Sequence, residues 1–176
     1  QVSVLRDRNI EMRQRLNNLI NVARDNDILF EKTRALILEI VAAQDLDTLV
    51  GSVQNALQND FSADVSALTL FENGAPYALS KGRVVSLHEA KASISGILSS
   101  SRAVCGTLRP QEMSFLFDEQ GQQIGSAAAA PLINGNIMGV LAVGSYDPNY
   151  YRSSMGTLFL NYVGEVLNLV LPRHMA

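Results

Sequence analysis

The chain has 176 residues, 47% of them hydrophobic and 18% charged, with a formal net charge of -3 and one cysteine, Cys105. That content supports a sizeable core and argues against wholesale nucleic-acid binding, an internal disulfide or a thiolate metal cluster. No run is long and apolar enough to span a membrane and no signal-peptide pattern opens the chain, so the expectation is a cytoplasmic protein without membrane contact. The chain opens on Gln1, and what precedes it is left open.

About Leu5 to Ala43 reads as helix. Leu5, Asn9, Met12, Leu16, Leu19, Ala23, Asn26, Phe30, Thr33, Ile37 and Ile40 alternate at spacings of four and three, a heptad seam. Asn9, Leu16, Ala23, Phe30 and Ile37 take the a positions, and Leu5, Met12, Leu19, Asn26, Thr33 and Ile40 the d positions. Arg6, Arg8, Arg13 and Arg15 fill the early flanks, and Ile20, Val22, Leu29, Leu36 and Val41 most of the later ones. The later half is too broadly apolar for a two-stranded coil and calls for a bundle. Arg24-Asp25-Asn26-Asp27 is a candidate interruption, with Asn26 or Asp27 capping a fresh start. The plain reading is a helix packed on its own domain; the length of the seam favours a dimerisation helix instead. With Asp7 and Glu11 among them, the arginines read as a solvated face rather than a nucleic-acid contact. Residues 1–44 are thus expected to form a helical, coiled-coil dimerisation segment, and 45–176 a separate domain.

Asp45 or Asp47 caps a second helix, whose buried stripe is Leu46, Leu49, Val50, Val53 and Leu57 and which ends at Asn59-Asp60. Val65 to Phe71 is a strand. Glu72 to Pro76 is a turn, and Tyr77 to Leu87 a second strand region, broken near Lys81-Gly82. Ser86 or His88 leads into a helix with Ala90, Ile94, Ile97 and Leu98 on its apolar side. Ala103 to Leu108 is a short strand, and Pro110 begins a helical turn, Gln111 to Phe117. Asp118 to Gly125 is a polar loop.

Ser126 to Ser145 is the centre of the chain: two apolar runs around Asn134-Gly135, a hairpin signal. The expected pairs are Leu132 with Ile137, Ala130 with Gly139 and Ala128 with Leu141. One face carries Ala128, Ala130, Leu132, Ile137, Leu141 and Val143, and the other Ala127, Ala129, Ile133, Met138, Val140 and Ala142. Both are apolar, so both must be covered. Pro131 has no N–H for the ladder, which predicts a four-residue loop or a bulge at Pro131 in place of a two-residue turn. It also predicts that the strand on the other side of Pro131 ends before reaching it.

Asp147-Pro148-Asn149 is a turn, and Ser153 or Ser154 caps the last helix, from Met155 to a stop at Pro172. That helix is apolar over more than one face. Bundling it with the first helix of each of two subunits would bury both surpluses, with Leu36 and Val163 inside, so a homodimer through these helices is expected.

This order of elements, and SAAAAPLINGNIMGVLAVGS followed by a long apolar helix, resembles a GAF domain over Asp45 to Leu171. The stretches LRDRNIEMRQRLNNLI, ARDND, CGTLRP and MGTLFLNYVGEVL resemble an uncharacterised bacterial family, domain of unknown function 484, over nearly the whole chain. The resemblance implies an α+β fold with a GAF-like (profilin-like) antiparallel sheet, helices on both faces and a long helical segment in front. It implies no activity and no cofactor. The cyclic-nucleotide lid motif of GAF domains, the cysteine context that holds a bilin, and the several cysteines used to reduce methionine sulfoxide are all missing from the sequence.

No catalytic constellation stands out. His88 and His174 are the only histidines, and there is no HxxxH, CxxC or Walker pattern. Cys105, in an apolar strand, reads as a quiet core thiol. What remains is a small-molecule pocket beside the sheet, floored by Ala128 and Ala130 or by Ala127 and Ala129. Phe71, Tyr77, His88, Phe115 and Phe117 would wall it, with Arg83 and Arg109 as cations for an anionic ligand. The plainer alternative is that the alanines admit a close-packed helix and the aromatics fill the core. The function expected is a non-enzymatic sensory or regulatory module; the alternative is a structural adaptor with a filled pocket that binds protein partners.

Overall fold

The computed structural model describes residues 1–61, 63–72, 79–80, 82–152 and 157–175. Helix α1 runs from Val2 to Ala42, 41 residues, without a break at Arg24-Asp25-Asn26-Asp27. Asp and Asn each cost well under about 1 kcal/mol in a helix interior, too little to interrupt one that lacks Gly and Pro. Every residue from Gln1 to Glu31 is exposed, and burial begins at Thr33, followed by Leu36 and Ile40. The last turns of α1 pack on the chain's own core, while the earlier turns are exposed.

Helix α2, Leu46–Asn59, is capped by Asp45, whose Oδ1 accepts the Thr48 amide at 2.7 Å. Strand β1, Val65–Glu72, follows, then β2, Arg83–Ser86, and α3, Leu87–Leu98, capped by the Ser86 hydroxyl. Ala90, Ile94, Ile97 and Leu98 are all buried, as their spacing predicts. Strand β3 is Val104–Gly106 and α4 is Pro110–Phe117, with a 3-10 turn over Asp118–Gln123. Strands β4, Ser126–Asn134, and β5, Asn136–Ser145, form the central hairpin, and α5 is Leu158–Met175. The expected turn at 73–76 and the caps Ser153 and Ser154 lie outside the described residues.

The sheet has five strands in the order β2-β1-β5-β4-β3. Three neighbouring pairs are antiparallel, but β1 and β2 are parallel, with Thr69 opposite Arg83. The sheet is therefore mixed rather than wholly antiparallel, because the edge strand β2 lies alongside β1 in the same direction. One face packs on the end of α1, on α2 and on α5, through Leu68, Leu70, Ala128, Ala130, Leu132, Leu141 and Val143. The other packs on α3 and α4, through Val65, Phe71, Ala127, Ala129, Val140 and Ala142.

The hairpin turns on Gly135 alone, at φ 72, with Asn134 opposite Asn136. Its ladder lies two residues from the expected register: Ala128 faces Val143, Ala130 faces Leu141 and Leu132 faces Gly139. A shift of two keeps every side chain on its face. A bulge then falls between Leu132 and Ile133, one step past Pro131, with Met138 as the extra residue. It moves Met138 to the α5 side and Ile137 to the α3 side, the reverse of the expected assignment. Gly139 is required here because a Cβ would lie 2.5 Å from the Thr69 carbonyl oxygen. Strand β3 pairs no further than Ala129, so it ends before Pro131, as expected.

Helix α5 passes through Pro172 to Met175 instead of stopping. Leu36 and Val163, expected between subunits, are 2% and 0% exposed within the chain's own core. Leu158, Tyr162 and Leu169 form the outward stripe of α5.

Candidate functional site

Arg83 stands at the start of the edge strand β2, beside the turn that ends α4. Its Nη1 pairs with Asp118 Oδ1, its Nη2 donates to the Phe115 carbonyl, and its guanidinium carbon lies 4.9 Å from the centre of the Phe115 ring. Its Nε is buried and has no partner among the described residues. Asp118 has φ 52 and is the only non-glycine with positive φ among the described residues. A backbone held in that region stores strain of about 1–3 kcal/mol. Open clefts of about 200 and 350 Å³ flank this latch.

The sequence-derived site residues do not form one group. Phe71 and Phe117 are buried, and Phe115 half-buried, in the layer under α3 and α4. Ala128 and Ala130 lie on the opposite face, beneath α5. Gly164 of α5 would place a Cβ 3.7 Å from the Ala130 Cβ, so the small residues there admit a close helix. Arg83 joins Phe115, but its charge is met by Asp118. His88 and Arg109 are exposed, and the Arg109 amide donates to Glu112 at the start of α4. Tyr77 lies outside the described residues. Cys105 is half-buried beside the α5-side core. No group of three or more His, Cys, Asp and Glu fit to hold a metal occurs among the described residues. No helix among them is long and apolar enough to cross a membrane.

A wider open groove, about 440 Å³, runs between α5 and the β3–β4 edge over Ala130 and Pro131. Two asparagines one heptad apart on α5 border it. Asn161 Oδ1 accepts the Ala103 amide and Asn168 Oδ1 the Ile133 amide, both at 2.8 Å. Sequence reasoning missed Asp118 and both asparagines. Their partners are 35, 58 and 35 residues away, and no local pattern marks them.

The model of one protein family, described as "Protein of unknown function, DUF484", matches residues 1–176. No curated protein sequence matches the chain. Among solved structures, the chain is similar to the GAF domain of an Acinetobacter phosphoenolpyruvate-protein phosphotransferase, at 16% identity and TM-score 0.60 over 82% of this chain and 92% of that one. The GAF domain of a phosphoenolpyruvate-protein phosphotransferase from Coxiella burnetii gives 13% identity and TM-score 0.57 over 82% and 93%. The GAF domain of A. aeolicus nlh2, in an inactive state, gives 10% identity and TM-score 0.58 over 84% and 98%. At these identities the likeness establishes the GAF fold.

Proposed function

This chain belongs to the DUF484 family and has the GAF fold, and from that premise we propose that it is a non-catalytic, homodimeric regulatory module. The observation that carries the reading is the seam of α1. Leu5, Met12, Leu16, Leu19 and Phe30 are 61–68% exposed, on the same helix whose later turns bury Thr33, Leu36 and Ile40. A solvated helix face does not keep large apolar residues at heptad spacing; a face that meets a second helix does. In this reading the exposed part of α1 joins two GAF bodies.

The test is molar mass by light scattering at micromolar concentration. The intact chain gives a dimer, and Leu16→Glu with Leu19→Glu gives a monomer whose body stays folded, because neither residue touches that body. A monomeric intact chain overturns the reading.

A second reading, a structural adaptor that holds protein partners and no small molecule, is favoured by the filling of both sheet faces by Phe71, Phe117, Leu132 and Leu167. In the regulatory reading a small molecule binds in the clefts beside Arg83. Mass spectrometry of what copurifies, and a ligand-dependent rise in melting temperature, separate the two.

A further inference from the structure

The seam leaves open how two α1 helices meet, and its flanks decide it. In a parallel pair each early flank faces the partner's flank five residues on. Arg8 would then meet the partner's Arg13 on both sides of the dimer, and Asp27 would meet the partner's Val22. The core layer at Ala23 would face the partner's Ala23 and leave a gap, while Phe30 would face the partner's Phe30.

Antiparallel pairing centred between Asn17 and Asn18 removes each of these conflicts. Leu16 then faces the partner's Leu19. The small Ala23 faces the partner's long Met12, and the large Phe30 faces the partner's Leu5. Asn9 faces the partner's Asn26, so the two polar layers satisfy each other rather than opposing leucine. On the flanks, Arg6 meets the partner's Asp27. Arg13 lies over the partner's Ile20, Arg15 over the partner's Val22 and Arg8 over the partner's Leu29, with the stems on apolar surface and the heads in water. The head of Arg15 is already turned to Glu11 of its own helix, at 2.6 Å. Moving the antiparallel register by one heptad either way sets Asn9 against the partner's Leu19 or Leu16 against the partner's Asn26. The paired stretch, Leu5 to Phe30, also stops just before Thr33, where α1 enters its own core.

We infer that two copies of this chain pair through the exposed part of α1 as an antiparallel two-stranded coil, in this register, with the GAF bodies at opposite ends. The two Thr33 positions are then about 45 Å apart along the coil, at 1.5 Å per residue. This rests on the dimeric reading above, and the experiment separates the two. In a Cys105→Ala background, three variants are treated with bis-maleimidoethane: Leu5→Cys, Phe30→Cys, and Leu5→Cys with Phe30→Cys. Antiparallel pairing links only the double variant into a covalent dimer. In the single variants the two thiols lie about 38 Å apart.

A dimeric mass with efficient linking of a single variant, or with no linking at all, overturns the inference and leaves the dimer standing. A monomeric mass overturns both. In addition, Arg6→Glu raises the dimer dissociation constant several-fold and a further Asp27→Arg restores it. An effect of Arg6→Glu that Asp27→Arg leaves unrepaired contradicts the register.

Discussion

Asn134 and Asn168 join the tip of the central hairpin to the last helix. Asn134 Nδ2 donates to the Asn168 carbonyl, and Asn168 Oδ1 accepts the neighbouring Ile133 amide, both at 2.8 Å. Pro172 lies four residues after Asn168, where an ordinary helix residue would donate to that same carbonyl. The hairpin side chain takes the place of the missing N–H, so α5 continues to Met175. Asn134→Ala is expected to cost about 1 kcal/mol. In a Pro172→Ala background, where the amide returns, the loss is smaller. Chemical denaturation of the four chains of this cycle measures the coupling, and equal losses in both backgrounds contradict it.

Two glycines that look alike in the sequence answer differently to alanine. Gly139→Ala drives a methyl into the Thr69 carbonyl, 2.5 Å away, and is expected to destabilise by about 1–3 kcal/mol. Gly164→Ala meets Ala130 at 3.7 Å and Leu132 at 3.9 Å, ordinary contact distances. There the helical preference of alanine applies, and the expected effect is neutral to about 1 kcal/mol stabilising. Thermal melts of both variants check the opposite signs.

The latch at Asp118 separates charge from backbone. Asp118→Gly and Asp118→Ala both remove the partner of Arg83, but only glycine accepts φ 52 without strain. Asp118→Ala is therefore expected to be less stable than Asp118→Gly by about 1–2 kcal/mol. Equal stability would show that the backbone there relaxes freely.

Asp45 supplies a pH dependence. The Thr48 amide, then the Thr48 hydroxyl, hold its carboxyl below its ordinary value of 3.8. The unfolded chain binds the proton more readily, so the contribution is present above that value and is lost as pH falls through the lower, folded one. The stability difference between the native chain and Asp45→Asn should shrink on acidification below about pH 4. Urea unfolding at several pH values measures it.

The elements were legible because their signals are local. A cap reaches two or three residues, as at Asp45 and Ser86, and a buried stripe repeats within one helix, as at Ala90, Ile94, Ile97 and Leu98. The early stop of β3 beside Pro131 was equally readable, because one missing N–H decides it, whereas the expected four-residue loop is instead a turn on Gly135 alone, with Asn134 and Ile133 still paired. The candidate site was less so: Arg83 and Phe115 came together, but Ala128 and Ala130 ended on the other face. Packing between distant segments decided the rest. It set β2 parallel to β1, moved the hairpin ladder by two and bulged it at Met138. It placed Leu36 and Val163 inside the chain's own core, and it gave the Asn168 carbonyl a partner 34 residues away so that α5 passes Pro172. A sequence pattern records which faces are apolar and where backbone bonds are missing. Which surface covers each face, and which group completes each bond, is settled only when all the layers pack together.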